Sequence, residues 1–250
     1  MLIDSHSHLL SQFYEEDIAD VSERSNGIIV NIVGFDVRSS KEAIARAKIN
    51  FHFYASVGIH PNDAKETEDF KSIEQLAMDP KVIAIGEIGL DYYRNSTPKT
   101  MQINFFEQQI EVAKKLGLPF IVHSRDAFLD TIKVIKNSGY QKCVLHSFDY
   151  GIDEAEEALA LGCFISFSGM VTFTNKSTLQ DVAMIVPINK ILFETDSPFL
   201  TPSPFRGRRN EPLYVSFIYE KYAELKGLEK PPLEDELLSN FRALFSKFNE

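Results

Sequence analysis

Short runs of apolar residues alternate with amphipathic stretches along the whole chain. The runs are Leu2–Asp4, Gly27–Val33, Phe53–Gly58, Val82–Gly86, Pro119–Val122, Lys142–Leu145, Cys163–Phe167 and Ile191–Phe193. Several contain no polar position, the pattern of a parallel strand covered on both faces. Between the runs the apolar spacing changes to that of a helix. Ser39–Asn50 sets Ala43, Ile44 and Ala47 on one side. Thr97-Pro98 suits a helix start and is followed by a stripe of Phe105, Phe106, Ile110 and Ala113. Asp126–Asn137 repeats the pattern with Ile132 and Ile135, and Gly139 is placed to end it. Eight strand–helix units predict a (β/α)8 TIM barrel, with an open doubly wound α/β sheet as the structural alternative. No linker, repeat or low-complexity tract divides residues 1–250, so one domain is expected. Glu229–Glu236, with Pro231-Pro232, reads as a loop between the last helices.

A chain of 250 residues buries roughly 70–75% of its unfolded surface and needs no disulfide framework. Its two cysteines, Cys143 and Cys163, form no metal or redox spacing and fall in apolar segments, as buried free thiols in a reducing compartment do. With 26 basic and 36 acidic residues the net charge is −10, which excludes coating nucleic acid by bulk attraction and leaves room only for a local basic rim. Met1–His6 lacks the basic and apolar regions of a signal peptide, and the longest apolar stretches, Gly27–Gly34 and Ala183–Ile188, are too short to span a bilayer. A cytoplasmic protein is therefore expected.

The histidines change the picture. His6 and His8 stand two apart at the first strand's end, so strand alternation sends both imidazoles to one side. His60 follows the third strand, His123 ends the fifth, and His146 ends the sixth; only His52 lies away from a strand exit. Two carboxylates share this placement: Glu87 at the end of the fourth strand and Asp196 after the eighth. In a barrel these groups converge on the mouth at the C-terminal ends of the strands, where active sites are built. Such a set exceeds the needs of one tetrahedral zinc. It suits two divalent ions about 3.5–4 Å apart with a bridging carboxylate, a site that lowers the pKa of water and neutralises charge on a phosphoryl or carbonyl oxygen. Gly86–Gly89 lacks the third glycine of a dinucleotide fingerprint, and no GxSxG elbow is present. Arg206, Arg208 and Arg209 follow Asp196 on a proline-rich loop, and Arg125 lies two past His123; these can clamp phosphates, or pair with acidic neighbours.

The stretches LIDSHSHL (Leu2–Leu9), VGIHP (Val57–Pro61), AIGEIGLDYY (Ala84–Tyr93), QINFFEQQ (Gln102–Gln109), PFIVHSR (Pro119–Arg125) and LFETDSPFLTPSPFRGRRNEP (Leu192–Pro212) together resemble the TatD family of metal-dependent deoxyribonucleases. The resemblance implies a TIM barrel of the metal-dependent hydrolase type. It implies one ion on His6, His8 and Asp196, a second on His123 and His146, Glu87 between them, and His60 either behind the ligands or touching substrate. It also implies Mg²⁺, Mn²⁺ or Zn²⁺ as cofactor and cleavage of DNA phosphodiesters from a 3′ end. The chain departs from the family pattern after His146, where the glycine is displaced to Gly151, and lacks the aspartate that often follows the first histidine pair.

The expected reaction is therefore hydrolysis of DNA with Asp196 as ligand and proton acceptor, Glu87 fixing the ion separation, and Arg125 and the Arg206–Arg209 cluster on flanking phosphates. DNA 3′ ends or single strands are the expected partners, with no membrane, no obligate protein partner and a monomeric state. The alternatives are hydrolysis of another ester or amide, such as a D-aminoacyl-tRNA, and a non-catalytic barrel that binds nucleic acid or protein.

Overall fold

The computed structural model describes residues 1–65, 70–94 and 96–248. All eight apolar runs become parallel strands: β1 (Ile3–Ser7), β2 (Ile29–Val33), β3 (Phe53–Val57), β4 (Val82–Asp91), β5 (Phe120–Arg125), β6 (Cys143–Leu145), β7 (Phe164–Phe167) and β8 (Ile191–Phe193). They pair in chain order, β1 to β8. A parallel bridge between Ser7 and Ser197 joins the ends of this sheet, with Asp196 N donating to His6 O and His8 N to Ser197 O. The (β/α)8 expectation holds, and the open-sheet alternative does not. The seam is fastened by Asp4, whose carboxylate accepts from Thr195 N at 2.8 Å and Thr195 Oγ1 at 2.6 Å.

The helices fill the intervals: α1 (Ser11–Tyr14), α2 (Ile18–Arg24), α3 (Val37–Ala47), α4 (Phe70–Leu76), α5 (Lys99–Leu116), α6 (Phe128–Ser138), α7 (Ile152–Ala160), α8 (Ser177–Ile185), α9 (Val215–Lys226) and α10 (Lys230–Leu244). Glu229–Glu236 is not a loop. Pro231 and Pro232 sit in the first turn of α10, where the missing N–H has no helical partner to lose and the fixed φ suits the helix. Residues Phe241, Leu244, Phe245 and Phe248 then pack against Ile3, Ile29, Ile121, Val144 and Leu192, closing the N-terminal end of the barrel with apolar side chains. A larger apolar shell lies between the strands and the surrounding helices.

Above that apolar plug the interior turns polar. Ser5, Asn31, Ser56 and Ser166 are buried and hydrogen-bonded: Asn31 Nδ2 donates to Ser5 O, Ser56 Oγ donates to Asn31 Oδ1, and the Ser5 and Ser166 hydroxyls pair at 3.3 Å. This layer forms the floor of the mouth. Simple alternation would keep Ser5 inside and turn His6 out. The register of β1 shifts between Asp4 and Ser7, and that of β4 between Ile85 and Ile88. Such bulges re-aim side chains beside functional sites. Here they bring His6 and Glu87 inward, and β4 continues to Asp91 rather than ending at Glu87. Two buried glutamines of α5 hold the strand ends from behind. Gln102 Oε1 accepts from Asp91 N at 2.8 Å, and Gln109 Oε1 accepts from Ile59 N at 2.7 Å.

Candidate metal centre

Five imidazoles and two carboxylates meet at the mouth. Glu87, only 3% exposed, lies at the centre, and its two oxygens face different partners. Oε1 is 2.7 Å from His123 Nδ1, 2.8 Å from His146 Nε2 and 3.5 Å from His60 Nε2. Oε2 is 3.4 Å from His6 Nε2 and 3.3 Å from His8 Nε2. Asp196 Oδ1 adds 3.8 Å and 3.6 Å to the same two nitrogens. Asp196 takes a left-handed backbone, φ +52°, a conformation that costs a non-glycine residue about 1 kcal/mol and that marks functional sites more often than ordinary loops. The six residues read as ligands from sequence thus surround one small volume, and His60 joins them from β3's exit.

The hydrogen bonds behind each ring decide what it presents to that volume. His8 Nδ1–H donates to Val33 O at 2.8 Å, so Nε2 turns a lone pair inward. His146 Nδ1–H donates to Glu194 Oε1 at 3.1 Å, with the same result. His123 is reversed: Nε2–H donates to Asp91 Oδ2 at 3.3 Å and Nδ1 carries the inward lone pair. His60 differs from all three. Its Nδ1 accepts Asn62 N–H at 3.0 Å, so Nε2 carries the proton and donates toward Glu87. Burial pushes His60 down to about 3, which keeps it neutral. Distance alone groups His60 with Glu87 and His123 as three metal-ligating side chains. The proton position makes it a donor instead.

Burial by itself would raise Glu87, but His146, His60 and His123 overcome it and hold the carboxyl well below its ordinary value. Against burial, Glu87 raises His8 and His146, and Asp91 with Glu87 raises His123, so without an ion protons on these rings bridge the short contacts; an ion would replace those protons and meet the inward lone pairs of the neutral rings. His6 and His8 Nε2 stand 3.3 Å apart, as do His123 Nδ1 and His146 Nε2 at 3.2 Å. Such a donor set of nitrogen and carboxylate oxygen fits a divalent cation. The clusters His6–His8–Glu87 and His6–His146–Asp196 can each hold one.

Two carboxylates in this arrangement escaped the sequence reading. Asp91 and Glu194 are 1% exposed and orient His123 and His146 from the far side. Carboxylates backing a ligating imidazole fix its tautomer and raise its basicity. The signal was available in Asp91's place within GLDYY, four residues past Glu87, yet an acid there reads equally well as rim charge.

The arginines separate into two kinds. Arg209 pairs with Asp17 and lies over the Tyr14 ring at 4.5 Å, so its charge is already met. Arg206 lies over Phe173 at 4.2 Å, and Arg208 over Phe205 at 5.6 Å. Phe205 itself stacks on Tyr214. Arg125, two residues past His123, lies over Tyr93 at 3.9 Å. Among the described residues no carboxylate pairs with Arg125, Arg206 or Arg208. No helix among them is long and apolar enough to cross a membrane.

The family model described as TatD related DNase matches residues 3–246. The chain is 38% identical over 252 residues to the uncharacterized metal-dependent hydrolase YabD of Bacillus subtilis (strain 168), covering 98% of this chain and 99% of that one. It is 31% identical over 259 residues to the 3′-5′ ssDNA/RNA exonuclease TatD of Escherichia fergusonii, covering 98% of each. Among solved structures, YJJV, a TatD homolog from Escherichia coli K12, aligns with a TM-score of 0.90 at 26% identity over 98% of both chains.

Proposed function

The chain belongs to the TatD related DNase family, and from that premise we propose that it hydrolyses DNA phosphodiester bonds from the 3′ end with two divalent ions. The observation that carries this reading is the division of Glu87: one oxygen faces His6 and His8, the other His123 and His146. His6, His8 and Asp196 would hold one ion, His123 and His146 the other, with Glu87 shared. Mg²⁺, Mn²⁺ and Zn²⁺ all suit these donors. Ions held there would lower the pKa of water and neutralise charge on a phosphate oxygen.

The chain's own groups supply the rest. Asp196 accepts the proton of the attacking water. The water oxygen bonds to phosphorus, the P–O3′ bond breaks, the departing O3′ takes a proton from solvent, and Asp196 returns its proton to solvent. His60, neutral and with its proton on Nε2, donates a hydrogen bond to a phosphate oxygen. Arg125 holds the neighbouring phosphate, and Arg206 and Arg208 reach the strand further out. Arg209 reaches it only by leaving Asp17. The exonuclease from Escherichia fergusonii, whose name states 3′-5′ action on single-stranded DNA and RNA, supports a nucleic-acid strand over other esters. A cytoplasmic monomer goes with the reading, and the unbridged, buried Cys143 and Cys163 support its reducing compartment.

The test is a metal-supplemented assay on 3′-tailed DNA, the same strand with a blocked 3′ end, RNA and D-aminoacyl-tRNA. Release of mononucleotides from the free 3′ end only is the expected result. Turnover of the aminoacyl ester without cleavage of any strand would overturn it.

A further inference from the structure

The two walls of the mouth differ in chemistry. Around His8 stand three phenyl rings, one from α1 and two from loops: Phe35 at 5.8 Å, Phe199 at 6.2 Å and Phe13 at 6.3 Å between ring centroids. Phe13 and Phe199 meet edge to face at 5.5 Å. Phe13 and Phe35 are half-buried against the core, while Phe199 is 45% exposed three residues after Asp196. An exposed phenyl ring braced by a second ring beside a charged centre is not explained by packing alone. On the other wall, Arg125 and the exposed Tyr93 stand at the ends of β5 and β4. β1, which His8 directly follows, and β5 are four strands apart in a ring of eight, so the two walls face each other across the candidate metal centre.

We propose that Phe199, braced by Phe13, stacks on the base of the 3′-terminal nucleotide while the continuing strand leaves over Arg125. The proposal rests on the nuclease reading of the site. Its polarity comes from charge. Beyond the scissile phosphate, a 3′-terminal nucleotide carries a sugar, a base and a hydroxyl, but no further phosphate. That fragment matches the uncharged aromatic wall. The strand on the other side carries a phosphate at every residue and matches the wall with the Arg125 guanidinium, which no carboxylate among the described residues pairs with. Stacking is indifferent to which base is present, because every base has a π face, but it needs that base unpaired. The wall therefore selects frayed or single-stranded ends without reading their sequence.

The experiment compares two oligonucleotides that differ only in the 3′-terminal residue, thymidine or an abasic tetrahydrofuran, with the wild type, Phe199→Ala and Phe199→Tyr at saturating metal. Wild type should prefer the thymidine end by about tenfold or more in kcat/KM, the range that base–aromatic stacking supplies. Phe199→Ala should lose that preference while cleaving the abasic end as wild type does, and Phe199→Tyr should keep it. Melting temperatures of the variants control for folding. A preference that survives in Phe199→Ala overturns the assignment. Equal cleavage of both ends by wild type overturns it too and leaves the nuclease reading standing. Failure of wild type to cut either strand overturns both.

Discussion

Replacing Asp91 by Asn should disarm His123 without touching it. The carboxylate accepts three hydrogen bonds: Arg94 N at 2.9 Å on Oδ1, and Asn62 Nδ2 at 2.9 Å with His123 Nε2 at 3.3 Å on Oδ2. All three partners are donors. Burial would raise this carboxyl, but the bonds from His123, Arg94 and Asn62 hold it below its ordinary value, so it stays ionised and accepting. An amide has one oxygen and one NH₂, so either orientation sets a donor against a donor. If the NH₂ faces His123, the imidazole must move its proton to Nδ1 to accept the bond. Nδ1 then loses the lone pair it points into the site. Loss of such a supporting contact typically lowers metal affinity or activity about 10- to 100-fold, or about 1.4–2.7 kcal/mol. If the NH₂ faces Arg94, a backbone N–H is left unsatisfied at a cost of about 1–3 kcal/mol. That appears as a fall in Tm, at about 2–4 °C per kcal/mol for a chain of this size. Calorimetric titration of the apo protein with Zn²⁺ or Mn²⁺ separates the two outcomes, and ¹⁵N–¹H correlation of the imidazoles reads the tautomer. Unchanged metal affinity, unchanged turnover and an unchanged His123 tautomer in Asp91→Asn would refute the reasoning.

The strands were readable because a parallel strand buried on both faces leaves a continuous apolar run, and the cluster at the mouth because histidine so rarely falls at one strand exit after another. What escaped reading has a common physical origin. Whether His6 faces inward depends on a bulge that shifts β1's register against β2, and no local pattern in Asp4–Ser7 encodes it. Asp91 and Glu194 differ from rim acids only through the imidazoles they meet, 32 and 48 residues away along the chain. Arg209 reads as part of a phosphate clamp until Asp17, 192 residues distant, is seen beside it. The two prolines near residue 231 signal a loop and also suit the first turn of a helix, and only the apolar face of Phe241, Leu244 and Phe245 decides between them. Local periodicity thus fixes elements, while partners brought together by closure of the barrel fix roles.

Gly89→Ala should unfold the protein or destabilise it by about 3 kcal/mol or more, because at φ +138° its Cβ would stand 2.0 Å from the His123 carbonyl oxygen. Gly139→Ala, at φ +63° with open space around it, should cost only about 1–2 kcal/mol, and equal denaturation midpoints for the two would refute the close-approach argument. Removing bound metal with a chelator should lower Tm, since ions at a hundred times their Kd stabilise by about 2.7 kcal/mol, or about 5–10 °C here; identical Tm values with and without metal would count against the site. The arginines give the last test, because geometry now splits a cluster that composition treats as one. Arg125 has no carboxylate partner among the described residues and stands beside a ligand, whereas Arg209 is held by Asp17. Arg125→Ala should therefore reduce the dependence of log kcat/KM on log salt by about 0.7, the share of one single-strand phosphate contact. Arg209→Ala should leave that slope alone and change only stability, by less than about 1 kcal/mol for an ion pair this exposed. Equal slopes for the two variants would mean that Arg209 and Arg125 meet the strand alike, and the division of the arginines by their partners would fall.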